Sequence, residues 1–138
     1  MADDNRSIRE LKETYNQHHL HGNGAGTFLQ RRPRDVQRAV SFIHRHLFSE
    51  PKLTISWIKQ HCHINSQSFS ARFKRSTGYY PSEYIIHHRL EVAKKMLKET
   101  EISVTDIAIE AGFSSLASFA NTFKNHEDVS PSEWREQV

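Results

Sequence analysis

Residues 81–99, PSEYIIHHRLEVAKKMLKE, decide the fold. Their pattern predicts one long helix. Pro81 suits a first helical turn, where its missing N–H costs nothing, and Glu83 suits the positive end of the helix dipole. Ile86, Leu90, Ala93 and Leu97 recur at helical spacing, and Ile85 and Met96 widen the stripe. Lys94, Lys95 and Lys98 crowd the last turns, where the dipole favours cations. At about 1.5 Å per residue such a helix is on the order of 27 Å long. It is a spacer as well as a core element, because related sequence flanks it on both sides.

The relation appears at a shift of 50. Residues 68–83, SFSARFKRSTGYYPSE, align without a gap to residues 118–133, SFANTFKNHEDVSPSE. Seven of sixteen positions are identical, among them Phe69/Phe119, Phe73/Phe123, Lys74/Lys124 and the two Pro-Ser-Glu runs. Tyr84 facing Trp134 extends the match. One supersecondary unit is used twice.

Composition bounds the rest. A chain of 138 residues allows one domain or two small subdomains. Hydrophobic residues make up 36% and charged residues 25%, and no apolar run approaches the roughly 18 residues of a membrane span. The opening MADDNRSIRE has no apolar signal core, so a cytoplasmic protein is expected. The single cysteine, Cys62, excludes an internal disulfide and a multi-cysteine metal site. Five Gly and four Pro favour helices over sheet, and a net charge of +3 permits nucleic-acid binding.

In chain order, Ser7 and Glu10 form a capping-box pattern, and Ile8, Leu11 and Tyr15 form a short stripe, predicting a helix near 7–19. HGNGAGTFLQRRP then reads as a mobile linker, so 1–33 is a separate N-terminal segment and 34–138 the domain. Val36, Ala39, Val40, Ile43 and Leu47 predict a helix over about 35–48. Thr54 caps a short helix to about His61 that buries Ile55 and Ile58, and Ser66 caps a second helix to Ser76, ended by Gly78. After the long helix, Ser103 and Asp106 cap a helix through Ala111. Gly112-Phe113-Ser114 turns into a helix from about Ser115 to Lys124, and Ser130-Pro131-Ser132-Glu133 opens a closing helix holding Trp134. The domain is all-α, with seven helices and two helix-turn-helix units at 54–76 and 104–125. The second helix of such a unit commonly enters a DNA major groove.

Ile107-Ala108, Gly112-Phe113-Ser114, Phe119, Thr122-Phe123-Lys124 and Ser130 to Arg135 resemble the C-terminal signature of the AraC/XylS transcription regulators, and the spacing of Arg89, Ala93 and Leu97 fits as well. The resemblance covers about 34–137. It implies two helix-turn-helix units joined by one long helix, reading successive major grooves on one face of double-stranded DNA. It further implies a short stand-alone member of that family, or a piece of a longer one. Three departures stand in the first unit. Cys62 faces Gly112 at the shift of 50, which predicts a strained turn. Ile58 faces Ala108, and Ala71 stands where members often carry Arg.

With Phe69 and Phe73 marking the buried side, the opposite side of the first reading helix presents Gln67, Ser70, Ala71, Lys74 and Arg75. The second presents Ala117, Ala120, Asn121 and Lys124. Gln and Asn pair with adenine, Ala meets a thymine methyl, and the later Lys and Arg suit phosphates. Metal binding by His18, His19 and His21, or by His61-Cys62-His63, lacks accompanying ligands, and His87-His88 read as surface groups or groove liners. No nucleophile motif, phosphate loop or cofactor motif is present, so no enzyme, metal or cofactor is expected. The alternative to a monomeric DNA reader is a helical module that binds RNA polymerase or another regulator. Charge divides the chain: 66–98 carries seven Lys/Arg against two Glu, and 99–138 two against eight acids. The first unit is therefore expected to anchor DNA, and the acidic half to suit a basic partner such as a polymerase subunit.

Overall fold

A computed structural model describes residues 2–21 and 32–138, with the side chains of 7–19 and 32–138. The linker expected at 21–33 falls mostly outside the described residues. These contain eight helices and no strand: α1 (Ala2–His21), α2 (Arg34–His46), α3 (Ile55–His61), α4 (Phe69–Thr77), α5 (Pro81–Glu99), α6 (Val104–Glu110), α7 (Leu116–Glu127) and α8 (Pro131–Gln137). The seven helices expected after residue 33 are all there.

Helix α5 serves two cores. Its Tyr84 and Ile85 close the first, built from Val36, Ala39, Val40, Ile43, Leu47, Ile58, Phe69 and Phe73. Its Leu90, Val92, Ala93, Met96 and Leu97 form the second with Ile107, Ala108, Phe113, Phe119 and Phe123. The four phenylalanines of the repeat are fully buried. Each contributes about 1.5–3 kcal/mol, which holds the short helices that propensity alone would not. Phe48 packs against both cores.

Hydroxyl caps define the helix starts. Thr54 Oγ1 accepts from the Trp57 N–H, Ser103 Oγ from Asp106, Ser115 Oγ from Ser118 and Ser130 Oγ from Glu133, at 3.0–3.2 Å. Each cap is worth about 1 kcal/mol. The cap expected from Ser66 is not formed in that way. Helix α4 begins three residues later, and Ser66 Oγ accepts from the Ser68 N–H inside the preceding turn. Ile55, expected to be buried, is 37% exposed, because only Ile58 of α3 turns into the core.

The turn of the first unit also differs from expectation. Backbone bonds align the units at a shift of 49 there, not 50. Ile64 N–H donates to the Lys59 carbonyl at 2.8 Å as Phe113 does to Ala108 at 3.0 Å, and His63 donates to Gln60 as Gly112 does to Ile109. This is the Schellman arrangement in both units, with the left-handed residue at His63 (φ 56°) and Gly112 (φ 101°). Cys62 has φ −95° and no such strain, and Ile58 matches Ile107 rather than Ala108. The register returns to 50 at Phe69/Phe119 because the second unit carries one more residue between its turn and its first core Phe.

Two arginines join the parts. Arg89, nearly buried, donates from Nε to the Leu47 carbonyl at 2.9 Å and from Nη2 to Glu50 at 2.7 Å, tying α5 to the chain after α2. Arg135 donates to the carbonyls of Leu97, Thr100 and Ile102, which satisfies orphan acceptors in the last turn of α5 and just beyond it. Helix α1 packs along α5 with Ile8 and Tyr15 buried, as its stripe predicted. His88, expected at the surface, is buried: its Nδ1 meets the Tyr15 hydroxyl at 2.5 Å.

Candidate nucleic-acid interface

Helices α4 and α7 each turn two phenylalanines inward, which fixes what remains outside. On α4, Ala71, Lys74 and Arg75 are exposed and Ser70 is half-buried. Gln67 is exposed too, but it stands in the turn before the helix rather than on it. On α7, Ala117, Asn121 and Lys124 are exposed and Ala120 is half-buried. Helix α7 opens three residues earlier in the shared frame, so Ala117 is helical whereas Gln67 is not. The two surfaces are polar or small and free of carboxylates, which suits the negative backbone and base edges of a duplex.

Both helices end in left-handed residues, Gly78 (φ 88°) and Asp128 (φ 67°), whose N–H groups donate to the carbonyls of Lys74 and Lys124. These equivalent caps hold the two lysines one turn from their helix ends. The Lys74 ammonium lies 4.5 Å from the centre of the Tyr80 ring. That contact restrains the lysine without neutralising it.

Tyr80 and Leu116, both over 40% exposed beside this surface, were not among the residues expected on it. The signal for Leu116 was its place just after the Ser115 cap, where a core residue is not required.

The charge division is smaller on the surface than in the sequence. Arg72 is taken up by a two-pronged bond to Asp35 and a bond from Nη1 to Ser68 Oγ. Its hydrogen bonds hold the Asp35 carboxyl below the usual carboxylate range, against the effect of burial. Arg89 is buried among carbonyls, and burial lowers it to about 10, still charged at neutral pH. Lys94 bridges Glu91 at 3.0 Å and Glu127 at 2.8 Å. On α4 the cations left to the outer face are therefore Lys74 and Arg75. Arg135 is similarly spent on carbonyls in the second half.

Comparison with known proteins accounts for this layout. A family model described as a helix-turn-helix domain matches residues 59–137. The chain belongs to the AraC-type helix-turn-helix family. Among curated relatives, the HTH-type transcriptional regulator YobQ of Bacillus subtilis, itself uncharacterised, is 35% identical over 97 residues, which are 70% of this chain and 39% of that protein. The C-terminal domain of AraT, a response regulator from Geobacillus stearothermophilus, superposes with a TM-score of 0.72 at 27% identity, covering 78% of this chain and 88% of that one. A transcriptional regulator with an AraC-type DNA-binding domain from Chromobacterium violaceum gives 0.62 at 29% identity, over 75% of this chain and 91% of that one. The chain spans 12% to 39% of the lengths of the first curated relatives it matches. Among the described residues no helix is long and apolar enough to cross a membrane, and no group of three or more His, Cys, Asp or Glu could hold a metal ion.

Proposed function

We propose that this chain binds double-stranded DNA as a monomer, in a sequence-dependent way, and so regulates transcription. The observation that carries the reading is the pair of equivalent helices, α4 and α7, each backed by two buried phenylalanines and separated by the rigid length of α5. Gln67, Ser70, Ala71, Ala117, Ala120 and Asn121 are assigned to bases, and Lys74, Arg75 and Lys124 to phosphates. Two readers on one chain fit major-groove faces about 34 Å apart, or roughly 10 bp centre to centre. The bound element is then direct and asymmetric.

The acidic second half carries exposed Ile109 between Asp106 and Glu110. It is the face assigned to a basic protein partner such as a polymerase subunit. Selection of bound sites from a random DNA library, followed by footprinting, tests the main reading. A direct site covered by one monomer is expected. An inverted repeat bound by a dimer, or binding that ignores sequence, would overturn it.

A further inference from the structure

Three histidines meet where α1, α2 and α5 join. His19 of α1 stacks on His44 of α2 at 6.0 Å, and His88 of α5 lies 4.8 Å from His19 and 5.0 Å from His44. The bonds around them read as a neutral network. Asn16 Nδ2 donates to the His44 carbonyl, which turns Asn16 Oδ1 toward His44 Nδ1 at 3.0 Å. His44 Nδ1 must then carry the proton, and Nε2 accepts from the Tyr84 hydroxyl at 2.7 Å. The Tyr15 hydroxyl meets His88 Nδ1 at 2.5 Å. None of these groups belongs to the candidate DNA surface.

Helix α1 also reaches helices of both cores. Asn16 holds α2, Tyr15 holds α5, and Lys12 reaches Glu110 of α6 at 2.6 Å, with its ammonium 5.6 Å from the Phe48 ring. We infer that α1 is a detachable clamp across the two cores, and that protonation of the His19–His44–His88 joint releases it.

The physical reason is that docking buries two imidazoles and crowds a third. His44 is lowered to about 4, first by burial and then by His19 and Arg32. His88 is lowered to about 2, first by burial, then by His44, His19 and His87, and by Arg32. His19 is lowered by burial and by His18. From α5, Lys95 also opposes a charge on His19, and Glu91 alone favours one. Tyr15 and Tyr84 stay neutral because burial raises both.

Undocked, a histidine moves back toward its ordinary value near 6.5, so docking is fully favoured above that pH and weakens as pH falls toward the docked values. From about pH 7.5 to 5.5 the docking constant falls about tenfold for each histidine set free, or up to about a hundredfold for two.

Hydrogen exchange of the intact chain tests this without DNA, so its outcome is separate from the functional reading on which any effect on DNA binding rests. Protection factors of α1 amides, corrected for intrinsic rates, are followed from pH 7.5 to 5.5 with α7 amides as reference. Protection of α1 should fall about ten- to a hundredfold while that of α7 holds. In the double variant Tyr15→Phe/His88→Phe, which removes both partners and keeps their shape, the fall should shrink by about tenfold. Unchanged α1 protection, loss of α1 and α7 together, or an unaltered fall in the double variant would each overturn the clamp.

Discussion

Arg89 and Gly112 meet across the joint between the two units. A Cβ placed on Gly112 would stand 2.8 Å from Arg89 Nε and 2.4 Å from the Leu47 carbonyl that Arg89 holds. The second turn is therefore pressed against the exit of α2, and the second unit shares a wall with the first core.

Gly112→Ala should accordingly cost about 3 kcal/mol or more, because left-handed strain adds to a clash with backbone. Gly78 is a matched control. It is also left-handed, but a Cβ there meets nothing within 4 Å, so Gly78→Ala should cost only about 1–2 kcal/mol. Urea unfolding of both variants measures the difference. Equal losses would show that the Arg89–Leu47 contact does not matter.

The first turn gives the opposite expectation. His63 is exposed at the left-handed position, and Cys62 beside it is buried with its thiol 3.8 Å from the Arg38 carbonyl. His63→Gly should raise stability by about 1 kcal/mol by removing strain. Cys62→Gly should lower it by about 1–2 kcal/mol, because a buried side chain goes and chain entropy is gained. Thermal melts that rank the two variants the other way would refute this assignment of the turn.

These turns also show where the sequence was legible. The four phenylalanines and the hydroxyl caps are local signals, and they placed the helices and the outward faces of α4 and α7. The turn register was not legible, because the shift of 50 is set by Phe69/Phe119 while Ile58/Ile107 obeys 49. Identity counts favour the longer match. Only the backbone bonds from Ile64 and Phe113 reveal the extra residue between them. Arg72 counted toward the basic charge of 66–98, since its partner Asp35 lies far away in sequence. His88 read as surface because its cover, Tyr15, comes from a segment outside the repeat.

The Arg72–Asp35 pair makes a pH-dependent contribution. The folded carboxyl sits below its unfolded value near 3.9, so its stabilisation is complete above that pH and is lost as pH falls through the lower folded value. Asp35→Asn should lower the melting temperature at neutral pH, and the gap to the unmodified chain should close below about pH 4. A gap that stays constant down to pH 2 would mean the pair acts by shape rather than charge.

With Arg72 and Arg89 engaged internally, anchoring to DNA falls to few side chains. Lys74→Ala with Arg75→Ala should abolish tight binding at physiological salt and reduce the salt slope by about two. Asn121→Ala should instead relax preference at one half of the site, costing about 1–3 kcal/mol there. Anisotropy titrations at fixed and varied salt distinguish them. Equal loss of affinity from the two sets at one salt concentration would remove the anchor role from the first unit.

Helix α5 buries residues into both cores along its whole length and is pinned by Arg89 near its middle and by Arg135 beyond its end. Such a rod behaves as a caliper. One base pair added between the half-sites moves the second by about 3.4 Å and turns it by about 35° around the duplex axis. A caliper with two fixed jaws has no soft joint to absorb either change, so the duplex must twist or one jaw must let go. On the reading proposed above, spacing then becomes part of the recognised message, alongside the bases.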